Sequence, residues 1–186
     1  MTTDKRYRVC PMERAGALES GIRYLLHAPR KILQPYVRKG MLALDLGCGP
    51  GFFTRTLAEL VGPEGKVIAA DLQEGMLARL RRKIQGTELE QRITTHQCTS
   101  DRIGLTAECD FVLVFYMLHE VPDQQVFLRE VRTLLKPSGK VLIVEPKFHV
   151  SKKDMLRSIR MMEQSGFKVT AEPKVFLSRA VVIERA

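Results

Sequence analysis

From Met41 to Ala186, short apolar runs alternate with amphipathic stretches of helical period, and that alternation admits few folds. MLALDL (41–46) is apolar and bounded by glycines, as a buried strand would be. Phe53, Leu57, Leu60 and Val61 then recur at helical spacing, and Gly62, Pro63 and Gly65 stop that helix. KVIAADL (66–72) reads as a second strand, and Met76, Leu77, Leu80 and Ile84 as the buried stripe of a second helix. RITTHQC (92–98) and CDFVLVFY (109–116) follow as third and fourth strands. Pro122 and Asp123 start a helix whose buried face is Phe127, Val131, Leu134 and Leu135. LLKPSGK reads as its stop and a turn, and KVLIVEP (140–146) as a fifth strand. Ser151 is placed to cap a last helix with Leu156, Ile159 and Met162 inward, ending at Gly166. FKVTAEP and VFLSRAVVIERA are the sixth and seventh strands. Only Pro173-Lys174 separates these two, too short a link for a crossover, so they must be antiparallel. The expectation is an α/β, three-layer Rossmann-like fold: a seven-stranded, mostly parallel sheet with an antiparallel last strand.

The first strand runs into Asp45-Leu46-Gly47-Cys48-Gly49-Pro50-Gly51. Glycines let the chain turn sharply and let a ligand touch backbone. The loop falls at the carboxyl ends of the strands, where open α/β sheets bind ligands. Its spacing is GxGxG, which differs from the GxGxxG dinucleotide fingerprint. Asp45 just ahead of it would repel a pyrophosphate but favour a cation. Asp71 ends the second strand, where a carboxylate can accept hydrogen bonds from both hydroxyls of a ribose.

DLGCGPGFFT, then AADL, then VLVFYMLHEVPD resemble the class I S-adenosylmethionine-dependent methyltransferases, over roughly residues 41 to 186. The resemblance implies S-adenosylmethionine as cofactor, with Asp45, Gly47, Gly49 and Gly51 at its methionine part and Cys48 within the same loop. It implies Asp71 at the ribose, Leu72 against the adenine, and Phe115 lining the sulfonium side through its backbone. The family usually has an aspartate just after the third strand. Here Cys98 or Thr99 takes that place and Asp101 comes late.

Methyl transfer from a sulfonium is an in-line displacement with a good, neutral leaving group, so alignment supplies most of the acceleration, about 7–11 kcal/mol at best. A base is needed only where the nucleophile arrives protonated. Tyr116 and His119 after the fourth strand, and His149 after the fifth, are the candidate catalytic side chains; Glu120 and Glu145 lie beside them. The competing reading makes His119 the opening of the next helix, Glu120 its cap and Tyr116 a packing residue. No histidine or cysteine spacing suggests a metal site, and no cysteine pair suggests a disulfide.

Absences narrow the acceptor. The fourth strand is not followed by an Asn/Asp-Pro-Pro-Tyr/Phe stretch, and no cysteine follows the fourth or fifth strand. The chain lacks an aromatic-rich basic strip. A small-molecule acceptor leads; nucleic acid is not favoured. The alternatives are a catalytically silent S-adenosylmethionine-binding activator and an RNA or protein methyltransferase. No apolar run nears the ~20 residues of a membrane span, and residues 1–16 lack the apolar stretch of an export signal, so a cytoplasmic protein with no membrane partner is expected.

The net charge is +9, and residues 1–40 carry +6 of it, nine Lys/Arg against Asp4, Glu13 and Glu19. Ile22, Leu25 and Leu26, then Ile32 and Leu33 behind Pro29, suggest short helices. The expected organisation is a helical cap over residues 1–40 and a cofactor-binding domain over 41–186. Such a cap would draw an anionic acceptor, or grip the methionine carboxylate through Arg30 or Lys31.

Overall fold

The computed structural model describes residues 28–186. The chain runs α1 (Pro29–Leu33), β1 (Leu42–Leu46), α2 (Thr54–Val61), β2 (Lys66–Asp71), α3 (Glu74–Ile84), β3 (Ile93–Gln97) and β4 (Cys109–Phe115). A one-turn 3-10 helix (Leu118–Glu120) leads to α4 (Gln124–Thr133), β5 (Leu135–Pro146), α5 (Lys152–Gln164), β6 (Phe167–Ala171) and β7 (Ser178–Arg185). The seven strands lie in the order β3-β2-β1-β4-β5-β7-β6. All neighbours are parallel except β7, which runs antiparallel to both β5 and β6.

Two-residue periodicity assigns each strand residue to one of two cores. Ala43, Leu113 and Phe115 face α1, α2 and α3, where they meet Leu33, Leu57, Leu77 and Leu80. Leu44, Leu46, Val112 and Val114 face α4 and α5, against Leu128, Val131, Met155 and Met162. The central strands are buried on both faces, which is why they read as unbroken apolar runs. At β1 the strand order reverses, and the crevice outside the carboxyl ends of β1, β2 and β4 opens at that point.

Four local expectations are corrected. The LKPSGK segment is part of β5: Cys109 pairs with Leu135 and Phe111 with Lys140, so residues 136–139 bulge where β4 has Asp110 alone. The link between β6 and β7 spans residues 172–177 and is longer than a Pro-Lys step. On α5 Met162 is buried and Ile159 packs against the core as expected, but Leu156 is exposed; Met155 and Ser158 complete the buried face, and Ser158 donates to Gln124 of α4 (3.1 Å). His119 and Glu120 form their own turn, and α4 is capped by Asp123, whose carboxylate accepts from the Val126 amide (2.9 Å).

The expected cap falls mostly on residues 1–27, which lie outside the described residues, as does Cys10. Its described part packs on the domain away from the crevice. Leu33 is fully buried, Tyr36 stacks on Phe111 near the start of β4 (centroids 6.2 Å), and the Gly40 amide bonds to the Val61 carbonyl at the end of α2. Arg30 pairs with Glu59 of α2 (2.9 Å), and neither it nor Lys31 borders the crevice. The expected grip on a methionine carboxylate through those two side chains has no place in this arrangement.

Candidate functional site

The crevice is a cavity of about 580 Å³. Its floor is the loop after β1. Gly47, Gly49 and Gly51 all have positive φ (71°, 54° and 91°), which glycine adopts without steric cost. The three are not equivalent. Gly47 and Gly49 border the cavity, and a Cβ at Gly47 would lie 2.9 Å from Met117 Cγ. Gly51 does not border it: a Cβ there would collide with Leu80 Cδ1 of α3, so this glycine lets the loop pack on a helix. Gly51→Ala should therefore cost stability, about 1–3 kcal/mol from left-handed strain and overpacking. A urea unfolding midpoint equal to wild type would refute that role.

Two carboxylates frame the floor. Asp45 is 2% exposed, and its Oδ2 accepts a hydrogen bond from the Thr54 hydroxyl at 2.6 Å. Asp71 is 8% exposed; its Oδ2 accepts from the Gly49 amide and its Oδ1 from the Gln73 amide, both at 2.8 Å. Burial raises the Asp71 pKa, against the opposing pull of the Gln73, Gly49 and Leu72 amides. Asp71 thus shapes the loop as well as facing the cavity. Cys48, buried between the two acids, has its thiol pKa pushed well up by burial and by both carboxylates, so it stays protonated.

Beyond Asp71 the wall continues through Leu72, which is 38% exposed, and through Cys98 and Thr99. Asp101 also borders the cavity, and its Oδ1 accepts from the Thr99 hydroxyl (2.8 Å). The late acid therefore reaches the wall that Cys98 and Thr99 form. Burial raises the Cys98 thiol to about 11, with Asp71 and Glu130 adding to it.

Of the remaining wall, sequence reasoning named Phe115 and Tyr116 but not Phe53, Met117, Val121, Val126, Phe127 or Glu130 as site residues. Phe53 packs on Phe115 (centroids 4.2 Å) and Phe115 on Tyr116 (4.4 Å), giving one side an aromatic run. Met117, Val121, Val126 and Phe127 also border the cavity. Glu130 of α4 closes the rim by accepting from the Ile103 (2.9 Å) and Gly104 (2.8 Å) amides. Phe53 precedes α2, Met117 and Val121 flank the Leu118–Glu120 turn, and Val126, Phe127 and Glu130 lie on α4, so only the tertiary fold brings them together.

The three catalytic candidates are placed differently. Tyr116 borders the cavity, sits at φ 61°, and its hydroxyl is 2.6 Å from that of Ser178 on β7. His119 and His149 come together, Nε2 to Nδ1 at 3.4 Å, but neither imidazole borders the cavity. His119 Nδ1 donates to Oε2 of Glu145 at 2.5 Å, and Oε1 of that buried carboxylate accepts from the Leu118 amide at 3.0 Å. Glu145 thus fastens the turn that carries Met117 and Glu120 into the cavity wall. Burial pulls the His119 pKa down, but the Glu145 bond and charge, joined by Glu120, outweigh it and hold the ring above its ordinary 6.5.

That pair has a pH signature. A pKa raised by folding gives stability that is complete below the ring's unfolded value near 6.5 and is lost as pH rises through the folded value. The thermal midpoint should therefore fall as pH rises above 6.5, and Glu145→Gln should flatten that slope. Parallel pH profiles for the two proteins would show that the pair does not contribute. Among the described residues no group of three or more His, Cys, Asp or Glu side chains could hold a metal ion.

The donor set suits a cationic, hydroxyl-bearing ligand: buried carboxylates at two points, an aromatic run between the strands, and backbone amides of a glycine loop. A family profile described as a methyltransferase domain matches residues 43–139. The chain belongs to the methyltransferase-domain family. Its cofactor is S-adenosylmethionine.

Among curated proteins the chain is similar to the demethylmenaquinone methyltransferase of Lactobacillus johnsonii, 40% identical over 110 residues, covering 59% of this chain and 45% of that one. The enzyme of the same name from Bacillus cereus is 35% identical over 109 residues, covering 59% and 46%. The chain thus spans about half the length of these relatives. Among solved structures, an S-adenosylmethionine-dependent methyltransferase from Aquifex aeolicus superposes with a TM-score of 0.85 at 24% identity, covering 94% of this methyltransferase and 98% of that one. One from Methanococcus maripaludis gives 0.78 at 16% identity, covering 100% and 97%. Both carry the same fold.

Proposed function

We propose that this methyltransferase moves the methyl group of S-adenosylmethionine to an apolar, ring-bearing small molecule of the demethylmenaquinone kind. The observation that carries the reading is the cavity's mixed lining. Buried Asp45 and Asp71 border it, and so do the apolar side chains of Phe53, Phe115, Met117, Val121, Val126 and Phe127, which suit a ring-bearing acceptor. The names of the relatives support the same acceptor class.

When bound, the cofactor supplies an electrophilic methyl on a sulfonium. The chain's own residues do the rest. Asp71 takes the ribose hydroxyls, Leu72 packs on the adenine, and Cys98 and Thr99 border it together with Asp101. Asp45 balances the positive charge of the methionine part, and the aromatic run of Phe53, Phe115 and Tyr116 excludes water from the sulfonium side. Tyr116, held by Ser178, is the polar group best placed to orient an acceptor hydroxyl. His119 is a positioning residue, acting through Glu145 on the Leu118–Glu120 turn. We place the reaction in the cytoplasm, where Cys48, Cys98 and Cys109 remain free thiols as they are here.

The test is transfer of labelled methyl to a panel holding an aromatic quinol, a small organic anion, transfer RNA and a basic protein. Label on the quinol is the expected result, and label on the RNA or protein alone would overturn it. Tyr116→Phe should lower kcat roughly 10- to 100-fold with little change in cofactor affinity, as loss of one orienting hydroxyl does. An unchanged kcat would remove Tyr116 from the reaction.

A further inference from the structure

The described residues leave six large apolar side chains conspicuously exposed, and they divide by position. Leu72 and Val126 border the donor cavity. The other four, Phe148 (70% exposed), Leu177 (54%), Phe176 (52%) and Leu156 (49%), lie together on a different face. Leu156, Phe176 and Leu177 line an open groove of about 760 Å³ between α5 and the link leading into β7. Phe148 adjoins it through Lys147, which lines the groove and whose amide bonds to the Leu177 carbonyl at 3.0 Å. None of this surface belongs to the site described above.

The charge around the groove is one-sided. Lys147, Lys152, Lys174 and Arg179 line it, against Glu172 alone. Lys147, Lys152 and Lys174 take part in no ion pair among the described residues. Exposed apolar side chains of this size mark an interaction surface. Apolar side chains within a ring of lysines match a lipid interface, where the apolar groups enter the acyl boundary and the ammonium groups stay at anionic headgroups.

The face also adjoins one residue of the cavity wall. Phe148 meets Tyr116 edge-on (centroids 6.4 Å), and Tyr116 borders the donor cavity and bonds to Ser178, the first residue of β7. A surface resting on Phe148, Phe176 and Leu177 would therefore lie next to Tyr116 and the cavity wall it forms.

We propose that the face formed by Lys147, Phe148, Leu156, Lys174, Phe176 and Leu177 docks this protein on an anionic lipid bilayer. The lysines bring it to the surface, and the four apolar side chains hold it there. The claim goes beyond the choice of acceptor, and its readout uses neither donor nor acceptor. The full chain is mixed with vesicles of phosphatidylcholine alone and of phosphatidylcholine with phosphatidylglycerol, then sedimented. Binding is expected on the mixed vesicles, weak on the neutral ones, and reduced by added salt.

Lys147→Glu with Lys174→Glu should lower the partition coefficient at least about tenfold. Phe176→Ser with Leu177→Ser should lower it comparably and leave residual binding that added salt removes, and both variants should keep the wild-type thermal midpoint and S-adenosylmethionine affinity. No binding to the mixed vesicles overturns the proposal, as does binding that both variants retain. Self-association in light scattering that the serine variant abolishes, with no vesicle binding, would assign the face to a second copy and equally overturn it. Methylation of a water-soluble acceptor by a variant that no longer sediments separates this result from the acceptor assignment.

Discussion

Replacing Asp71 with alanine is expected to raise the S-adenosylmethionine dissociation constant at least tenfold while the protein still folds. Two losses combine. The ribose loses its acceptor, and charge-assisted hydrogen bonds contribute about 1.5–3 kcal/mol each, with a factor of ten for every ~1.4 kcal/mol. The glycine loop also loses its anchor, because the Gly49 and Gln73 amides both donate to this carboxylate. Asp71 is the last residue of β2, so the sheet register does not depend on it. Titration calorimetry gives the affinity and a thermal melt the integrity of the fold. A folded variant with the wild-type dissociation constant would mean that the ribose is held elsewhere.

Asp45→Asn should weaken cofactor binding still more, roughly a hundredfold or beyond. The substitution keeps shape and leaves an oxygen for the Thr54 hydroxyl, so the charge is what changes. Asp45 is 2% exposed, and a buried ionic contact broken from one side costs about 3–5 kcal/mol. Comparing S-adenosylmethionine with its demethylated product locates that charge. Equal losses place the carboxylate at the ammonium, which both molecules carry. A larger loss for S-adenosylmethionine adds contact with the sulfonium. No loss for either would remove Asp45 from the donor site.

The parts of the fold readable from sequence were those governed by local chemistry. The stripe Met76, Leu77, Leu80, Ile84 is fully buried on α3, because helical period alone selects that face. The strand-loop-Asp71 sequence indicated the crevice, because positive φ at Gly47 and Gly49 requires glycine and the strand ends define where a ligand can sit. The misreadings came where tertiary contacts decide. Gly51 follows the same spacing as Gly47 and Gly49 but packs on Leu80, a residue 29 positions away that no loop pattern specifies. Lys-Pro-Ser-Gly carries turn chemistry whether it ends a strand or bulges from one, so β5 looked shorter than it is. Leu156 outranks Ser158 in hydropathy, yet the inward face of α5 is the Met155, Ile159, Met162 stripe, with Ser158 bonded to Gln124 beside it. His119 and His149 were correctly expected to be neighbours because β4 and β5 are adjacent. Neither ring is part of the cavity lining, and His119 is instead bonded to Glu145, which also holds the Leu118 amide.

Everything proposed for catalysis rests on S-adenosylmethionine occupying the cavity between Asp45 and Asp71. The most direct measurement is calorimetric titration of the full chain with S-adenosylmethionine, its demethylated product and NAD in parallel. Saturable one-to-one binding of the first two, weakened together at least tenfold in Asp71→Ala, with no heat from NAD, is the expected result. Saturable NAD binding with no response to S-adenosylmethionine would contradict it.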